Sequence, residues 1–199
     1  MTAAAVTKGE ATRARVVDVA YDLFLAQGYH GTSMRQIADR AGITMGGIYN
    51  HFAGKEAIWQ AVLLERHPYH EILPLLRDAP GDTVADYVRN AAELMITALG
   101  RRTDLLNLMF IELVEFGGKH LPDLFRTVMP QVSALGQSFG TKQGALRPIP
   151  LPLLARSFAG LFISFYITEQ MMPADLHALM GDDALDAMVD IYLHGILAE

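Results

Sequence analysis

Apolar residues recur along most of the chain at the spacing of three and four positions that places them on one face of a helix. The sequence has no segment longer than a few residues in which apolar and polar side chains alternate, as a half-buried strand requires. The pattern therefore predicts an all-α protein. Its helices are expected over residues 11–26, 33–41, 45–51, 55–67, 83–99, 104–116, from Pro122 onward with a kink at Pro130, 151–171 and 183–197.

Capping residues mark the ends of the second and third predicted helices. Ser33 is followed three positions later by Gln36, which is the pattern of a capping box. Gly42 can take the positive φ of a sharp turn, and Thr44 can cap the third helix, whose one clear core residue is Ile48. Two short helices joined by such a turn predict a helix-turn-helix.

A change in composition divides the chain into two parts. Residues 68–81 contain three prolines, and the helices beyond them are longer and more apolar. We therefore predict a first domain over residues 1–66 and a second domain over residues 67–199. A chain of 199 residues can bury about 70% of its unfolded surface, so it needs neither disulfides nor a metal to fold.

Composition excludes several classes of protein. Because the chain has no cysteine, a disulfide scaffold, a thiolate zinc site, an iron–sulfur cluster and a cysteine nucleophile are excluded. The signatures of hydrolases, nucleotide-binding enzymes and zinc proteases are also absent, so we predict no catalytic residue, no cofactor and no metal. The N-terminus lacks the order of a signal peptide, and residues 157–168, the longest uncharged helical run, are too short to span a bilayer. We expect a cytoplasmic protein with no membrane partner.

Charge is distributed unevenly between the two parts. The whole chain has a formal net charge of −6, which argues against a nucleic-acid partner. Residues 1–66, however, carry seven basic and six acidic residues, so the deficit lies entirely in the remainder. A polyanionic partner therefore belongs to the first part.

The third predicted helix is too short and too polar on one side for folding alone to explain its surface. Thr44, Tyr49, Asn50 and His51 offer polar groups suited to phosphate oxygens. Lys55 begins the next helix, where the helix dipole and free backbone N–H groups favour an anion. Since the second helix of a helix-turn-helix lies in the major groove, these residues indicate double-stranded DNA as the partner.

A longer pattern of apolar, glycine and aromatic positions runs without a gap through residues 11–65. Its members are Ala20, Phe24, Gly28, Tyr29, Gly31, Thr32, Ser33, Ile37, Ala38, Ala41, Gly42, Ile43, Gly47, Ile48, Tyr49, His51, Phe52, Lys55, Glu56 and Ala57. This pattern resembles the DNA-binding domain of the tetracycline-repressor (TetR) family of bacterial transcriptional regulators. The resemblance implies a homodimer joined through its last two helices, a helical effector-binding domain, and release of DNA when a small ligand binds.

One departure from the family affects base recognition. Many members have a lysine where this chain has Met45, and a residue with a side chain where it has Gly46. The Met45-Gly46-Gly47 run offers only apolar contact and close backbone approach, so we expect Arg35 to read a guanine edge. The full set of residues expected to contact DNA is Thr32, Ser33, Arg35, Thr44, Met45, Gly46, Gly47, Tyr49, Asn50, His51 and Lys55.

The second domain carries a weaker prediction of an effector site. Residues 105–116 are apolar nearly all round, so this helix is expected to be central, and Glu112 could face a pocket and bind a basic or hydrogen-bonding ligand. Two alternatives remain open: Glu112 and Glu115, the two carboxylates of this helix, both reach solvent or pair with Arg101 or Arg126, and the apolar residues are plain core. The candidate effector residues are Met95, Leu99, Met109, Glu112, Phe116, Phe125, Met129, Phe162 and Tyr166.

The last two helices carry more apolar surface than an edge facing water needs. A four-helix bundle formed by two copies would cover it. The candidate interface residues are Phe158, Leu161, Phe165, Leu185, Met188, Val189 and Tyr192.

These observations together predict a homodimeric, ligand-responsive regulator. We expect a repressor that binds a pseudo-palindromic operator and is released by a small, mostly apolar effector. The first alternative is a helical small-molecule-binding module without sequence-specific DNA reading, which the Met45-Gly46-Gly47 run and the net charge favour. The second is a helical enzyme, for which Glu112, His120 and the His67/His70 pair are the only candidate groups.

Overall fold

The computed structural model describes residues 7–139, 142–144, 146–181 and 183–197. These residues form eleven helices, and the described ranges contain no β-strand beyond two isolated bridges. The helices are α1 Lys8–Gly31, α2 Met34–Arg40, α3 Met45–Tyr49, α4 Lys55–Arg66, α5 Tyr69–Arg77, α6 Val84–Gly100, α7 Leu105–Phe116, α8 Leu121–Phe139, α9 Leu151–Met171, α10 Ala174–Met180 and α11 Ala184–Ile196. The all-α prediction is confirmed.

The chain divides into two compact units. The first comprises residues 1–67 and 104–124, and the second comprises residues 68–103 and 125–199. The observed break after His67 lies one residue from the predicted boundary, but residues 104–124 group with the first unit and not with the second. The physical reason is that α7 packs against α1 and contributes Leu108 to the core of the first unit.

The core of the first unit gathers apolar residues from α1, α2, α3, α4 and α7. Phe24, Ile37, Ile48, Trp59 and Leu108 are fully buried there. Each of the short helices α2 and α3 contributes few side chains to this core, so they depend on α1 and α4 for support. This arrangement leaves one side of α2 and α3 facing solvent.

Helix α7 is buried on one face only, which corrects the expectation that it is central. Leu105, Leu108 and Glu112 are buried, whereas Phe110 is 51% exposed and Val114 is 79% exposed. The sequence pattern misleads because apolar side chains surround the helix, while the first unit covers only the side toward α1 and α4.

The second unit packs α5, α6, α9 and α11 together. Val84, Val88, Leu154, Phe162 and Val189 are among its most deeply buried residues. Two of its helices, α5 and α10, were not predicted. Pro74 lies inside α5, and the helix forms despite the missing N–H because Ile72 and Leu76 are buried on one face.

Candidate nucleic-acid interface

The turn between α2 and α3 has the predicted backbone conformation. Ser33 and Gln36 form the capping box at the start of α2. Gly42 has φ +66°, and the N–H of Ile43 donates to the carbonyl of Ala38 at 3.0 Å, which closes the turn. A β-carbon would be strained at this φ, so glycine is required for the sharp change of direction.

Helix α3 is anchored by one side chain and otherwise open to solvent. Ile48 is fully buried, and Thr44 caps the helix by accepting a hydrogen bond from the N–H of Gly47 at 3.1 Å. Tyr49 is 54% exposed and Met45 is 38% exposed. Nothing lies within 4 Å of the position that a β-carbon would take at Gly46. The α3 surface therefore offers exposed backbone next to exposed side chains.

Arg35 projects from α2 with the freedom expected of a contact residue. Its side chain is 84% exposed, and Nε lies 3.8 Å from a carboxylate oxygen of Asp39, which is itself 71% exposed. An ion pair this long and this exposed restrains the guanidinium weakly. Arg13, by contrast, is held close to a carboxylate, since it pairs with Glu65 at 2.7 Å.

His51 and Asn50 follow α3 and continue the exposed surface. Asn50 is exposed and His51 is half-buried. The His51 ring lies 4.0 Å from the position of a β-carbon at Gly9, so the N-terminal turn of α1 is its neighbour. Thr7 and Glu10 form a capping box at that turn, where the hydrogen bonds from Thr7 lower the pKa of the Glu10 carboxyl.

Thr32 corrects one predicted DNA contact. Its side chain is 2% exposed, and its hydroxyl donates to the carbonyl of Gly28 at 2.9 Å and accepts from the Gln27 amide at 3.2 Å. Because both bonds are internal, the Thr32 side chain supports the start of α2 and does not face a partner. The Ser33 hydroxyl is likewise engaged with Gln36, although the residue is exposed.

Lys55 also differs from its predicted environment. Its Nζ donates to the carbonyls of Tyr29 at 2.7 Å and Thr32 at 2.6 Å, and lies 4.1 Å from the centroid of the Tyr29 ring. Burial lowers the pKa of the Lys55 ammonium, and the nearby Glu115 carboxylate partly offsets this effect. Two of the three N–H groups are used internally, so Lys55 chiefly joins α4 to the last turn of α1 and to Thr32.

Two carboxylates on α7 accept hydrogen bonds from α1, from α4 and from the residue before α8, and the local sequence pattern does not indicate these partners. Glu112 is fully buried and accepts hydrogen bonds from Trp59 Nε1 at 2.7 Å and from the backbone N–H of His120 at 2.7 Å. Glu115 accepts from the backbone N–H groups of Tyr29 at 3.0 Å and His30 at 2.9 Å.

The environment of Glu112 corrects both readings of that residue. It neither faces a ligand pocket nor pairs with Arg101 or Arg126, because its oxygens bind Trp59 and His120. The His120 ring continues this network: Nδ1 lies 3.0 Å from Glu112, and Nε2 lies 3.2 Å from Glu56. Hydrogen bonds from Lys119 and His120 lower the pKa of the Glu56 carboxyl.

The remaining candidate effector residues do not share one environment. Met95, Leu99, Phe162 and Tyr166 are buried in the core of the second unit, where the Tyr166 hydroxyl donates to the carbonyl of Arg102. Met109 and Phe116 are half-buried in the first unit, and the Phe116 ring stacks on Trp59 with centroids 5.5 Å apart. Phe125 and Met129 are 59% and 46% exposed.

The candidate interface residues on α9 and α11 also separate into two groups. Val189 and Tyr192 are buried within their own unit, and the Tyr192 hydroxyl donates to the carbonyl of Leu154, although the Tyr192 side chain also lines the groove between α9 and α11. Leu161 lines an open groove of about 460 Å³ between the two helices, together with Leu153 and Ile191. The other four, which are half-buried, are Phe158, Phe165, Leu185 and Met188.

Helix α9, Leu151–Met171, is longer than the uncharged run of residues 157–168 that was predicted to be too short to span a bilayer. Over the described ranges it is the one helix with the length and composition to cross a membrane, a test that core helices of water-soluble proteins also pass. Of its most apolar stretch, 17% is buried.

The described residues include no group of three or more histidine, aspartate or glutamate side chains placed to hold a metal ion.

Comparison with known proteins identifies the first unit. The profile of the family described as bacterial regulatory proteins, tetR family, matches residues 16–62. The transcriptional regulator SrpR of Pseudomonas putida is 47% identical over 62 residues, which are 31% of this chain and 29% of SrpR. UidR of Escherichia coli K12 is 31% identical over 105 residues, which are 52% of this chain and 53% of UidR. The matched segments thus span about a third to half of these curated relatives.

The likeness in fold extends further than the likeness in sequence. A TetR family transcription regulator of Marinobacter aquaeolei superposes with a TM-score of 0.61 over 96% of this chain and 97% of its own, at 14% identity. At that identity the comparison establishes the fold alone. Residues 16–62, within α1–α4, match the TetR family of bacterial regulatory proteins, and the chain as a whole shares the fold of a structure from that family.

Proposed function

We propose that the protein is a DNA-binding transcriptional regulator whose α2 and α3 bind double-stranded DNA. The observation that carries this proposal is the contrast within α3, where Ile48 is fully buried while Met45 and Tyr49 are exposed on an otherwise open surface. The relatives SrpR and UidR are both named as transcriptional regulators of the helix-turn-helix type, which supports the same function.

Different residues of this surface have different proposed roles. Arg35 reads a base edge, because a guanidinium can bind guanine through two hydrogen bonds. Met45 contacts apolar groups in the groove, and the backbone at Gly46 and Gly47 approaches the duplex. Four residues contact phosphates and fix the position of the protein along the duplex: Thr44, Tyr49, Asn50 and His51. Ser33 contributes through the exposed start of α2, whereas Thr32 and Lys55 act by supporting that start.

The finer predictions are part of the same proposal. The protein is a homodimeric repressor in the cytoplasm, joined through α9 and α11, and it binds a pseudo-palindromic operator. The open groove lined by Leu153, Leu161 and Ile191 supports this choice of interface, because a second copy would cover these side chains. A small, mostly apolar effector binds among the helices of the second unit and favours a state that fits DNA poorly.

Selection of bound duplexes from a random library tests the proposal directly. We expect one enriched, two-fold related motif, with affinity falling steeply as salt rises. Arg35→Ala should lower affinity for the selected duplex by about 1–3 kcal/mol and relax the preference at one base position. Arg77→Ala is the matched control, because Arg77 is an exposed arginine of the second unit paired with Asp78. Sedimentation of the complex gives the number of copies bound.

The alternative is a helical binding module that does not read DNA sequence. The net charge of −6 and the absence of a hydrogen-bonding side chain at residues 45–47 favour it. In that case the library yields no enriched motif. If a motif is enriched, Arg35→Ala would still argue against base reading by lowering affinity equally for selected and scrambled duplexes. Either result would remove the proposed base-reading role.

A further inference from the structure

The last turn of α1 and Thr32, which together lead into α2, are held from two sides. Gly28 interrupts α1 with φ +75° and ψ 170°, so residues 29–32 form a separate turn that leads to the Ser33 cap of α2. A helix that restarts after a break leaves its first N–H groups without acceptors in the preceding turn. The N–H groups of Tyr29 and His30 are in this position, and both donate to the Glu115 carboxylate.

The opposite side of the same segment is bound by Lys55. Its ammonium holds the carbonyls of Tyr29 and Thr32, as described above. The Tyr29 ring is fixed as well, since it packs edge-on against Phe116 at 4.5 Å between centroids. The N–H, the carbonyl and the ring of one residue are thus each held by a different group from α7 or α4.

The close approach of Glu115 is built into the backbone at Gly28. A β-carbon at this residue would lie 3.1 Å from a carboxylate oxygen of Glu115, and its positive φ disfavours any side chain. Hydrogen bonds from backbone N–H groups to a carboxylate are short and strong compared with neutral ones. The carboxylate is therefore a fixed point at which α7 meets the segment preceding α2.

We infer that Glu115 is a positioning residue for DNA binding, through which α7 sets the direction in which α2 and α3 leave α1. This inference rests on the proposed function. Glu115 acts through Tyr29 and His30 and does not itself contact the duplex. Because Ser33, the N-cap of α2, follows His30 by three residues, a shift of this turn moves both short helices together.

The test compares variants of the full chain on a duplex selected from the random library. Glu115→Ala should weaken binding by about tenfold, within the range known for residues that act on a site through others. The slope of log affinity against log salt should stay unchanged, because no phosphate contact is lost. Glu115→Gln keeps one oxygen acceptor and should recover part of the affinity. Val114→Ala, on the neighbouring and exposed residue of α7, is the matched control.

Amide hydrogen exchange provides a second and local measurement. In Glu115→Ala the amides of Tyr29 and His30 should exchange faster, while the amide of Ile48 in the core keeps its protection. If Glu115→Ala does not fold, the near-isosteric Glu115→Gln carries the same comparison. Affinity is compared only at temperatures where circular dichroism shows each variant folded. A substitution that only lowers the stability of the protein would then leave the duplex affinity unchanged.

Several outcomes would overturn the inference. One is equal affinity of wild type and both Glu115 variants for the duplex; another is a salt slope that falls by about one unit in Glu115→Ala, which would make Glu115 part of the contact surface. If wild-type protein binds no duplex, the proposed function itself fails and the inference fails with it. The wild-type measurement therefore separates the two failures.

Discussion

The first unit contains two polar regions that differ in whether their side chains are hydrogen-bonded within the protein or exposed to solvent. Where α7 meets α1 and α4, the carboxylates of Glu112 and Glu115 are each bound by two N–H groups of the same chain. On α2 and α3 the guanidinium of Arg35 and the phenol of Tyr49 are exposed instead. Buried polar groups must find partners inside the protein, whereas exposed ones remain available to another molecule.

Arg35 and Lys55 show how this difference decides the role of a cation. Both lie within the residues matched to the TetR family, and both have the charge to bind DNA. Arg35 is held only by a long and exposed ion pair, but Lys55 binds two backbone carbonyls at short distance. Proximity to α3 is therefore not sufficient to assign a cation to the proposed DNA contacts.

Among the variants that compare the two regions, Glu112→Ala should cause the largest change in the free energy of unfolding. Glu112→Ala leaves the Trp59 N–H and the His120 N–H without their acceptor in a buried site. Loss of one partner from a buried charged network costs about 3–5 kcal/mol of unfolding free energy. Urea unfolding of the full chain followed by the fluorescence of Trp59, the only tryptophan, measures the change.

Glu93→Ala is the matched control for this measurement, because Glu93 is an exposed glutamate on α6. It should change the unfolding free energy by less than about 0.5 kcal/mol. Equal stability of Glu112→Ala and Glu93→Ala would show that the hydrogen bonds of Glu112 contribute little, and the contrast between the two regions would not hold.

Lys55→Met should have an intermediate effect and should divide structural from contact roles. The substitution keeps the apolar stem and removes two charged hydrogen bonds, so the unfolding free energy should fall by about 2 kcal/mol. Duplex affinity should fall as well, because the last turn of α1 and Thr32, which lead into α2, are displaced. The salt slope should change by much less than the one unit that a lost phosphate contact gives.

Arg35→Ala is the comparison for Lys55→Met, because it should lower duplex affinity without lowering stability. Its unfolding free energy should stay within about 0.5 kcal/mol of wild type, since the side chain is a solvated surface group. A flattened salt slope with unchanged stability in Lys55→Met would instead assign Lys55 to the phosphate contacts, as its place at a helix N-terminus suggests.

Features that depend on near neighbours in sequence could be predicted. The capping box of Ser33 and Gln36, the positive φ of Gly42 and the Thr44 cap are all confirmed. The core position of Ile48 is confirmed as well. Each follows from rules that connect residues within four positions, so the helix-turn-helix could be derived from sequence and then matched to a family.

Partners distant in sequence could not be predicted. Glu112 binds Trp59 across 53 positions, and Glu115 binds Tyr29 across 86. Nothing in the local pattern around α7 shows that its two glutamates face the first unit, because a carboxylate on an apolar helix suits a ligand pocket equally well. The predicted effector role of Glu112 failed for this reason, and no signal in a single sequence replaces the missing contact.

The smallest expected effect is that of Gly46→Ala on the exposed surface of α3, where the substitution should raise stability and lower duplex affinity. Gly46 is helical and its surroundings are open, so Gly46→Ala should stabilise α3 by about 0.5–1 kcal/mol through the lower backbone entropy of the unfolded chain. The added methyl group lies on the surface where backbone is proposed to approach DNA. Duplex affinity should therefore fall while the melting temperature rises.

Gly47→Ala distinguishes this explanation from a general intolerance of α3 to side chains. At Gly47 a β-carbon would meet the Thr44 hydroxyl at 3.3 Å and the Ile43 β-carbon at 3.7 Å, so the cap must shift and the gain in stability should be lost. Melting curves and duplex titrations of both variants provide the comparison. If Gly46→Ala raises stability and leaves affinity unchanged, the backbone at Gly46 does not approach the groove, and Arg35 with the polar residues around Tyr49 must account for DNA recognition without it.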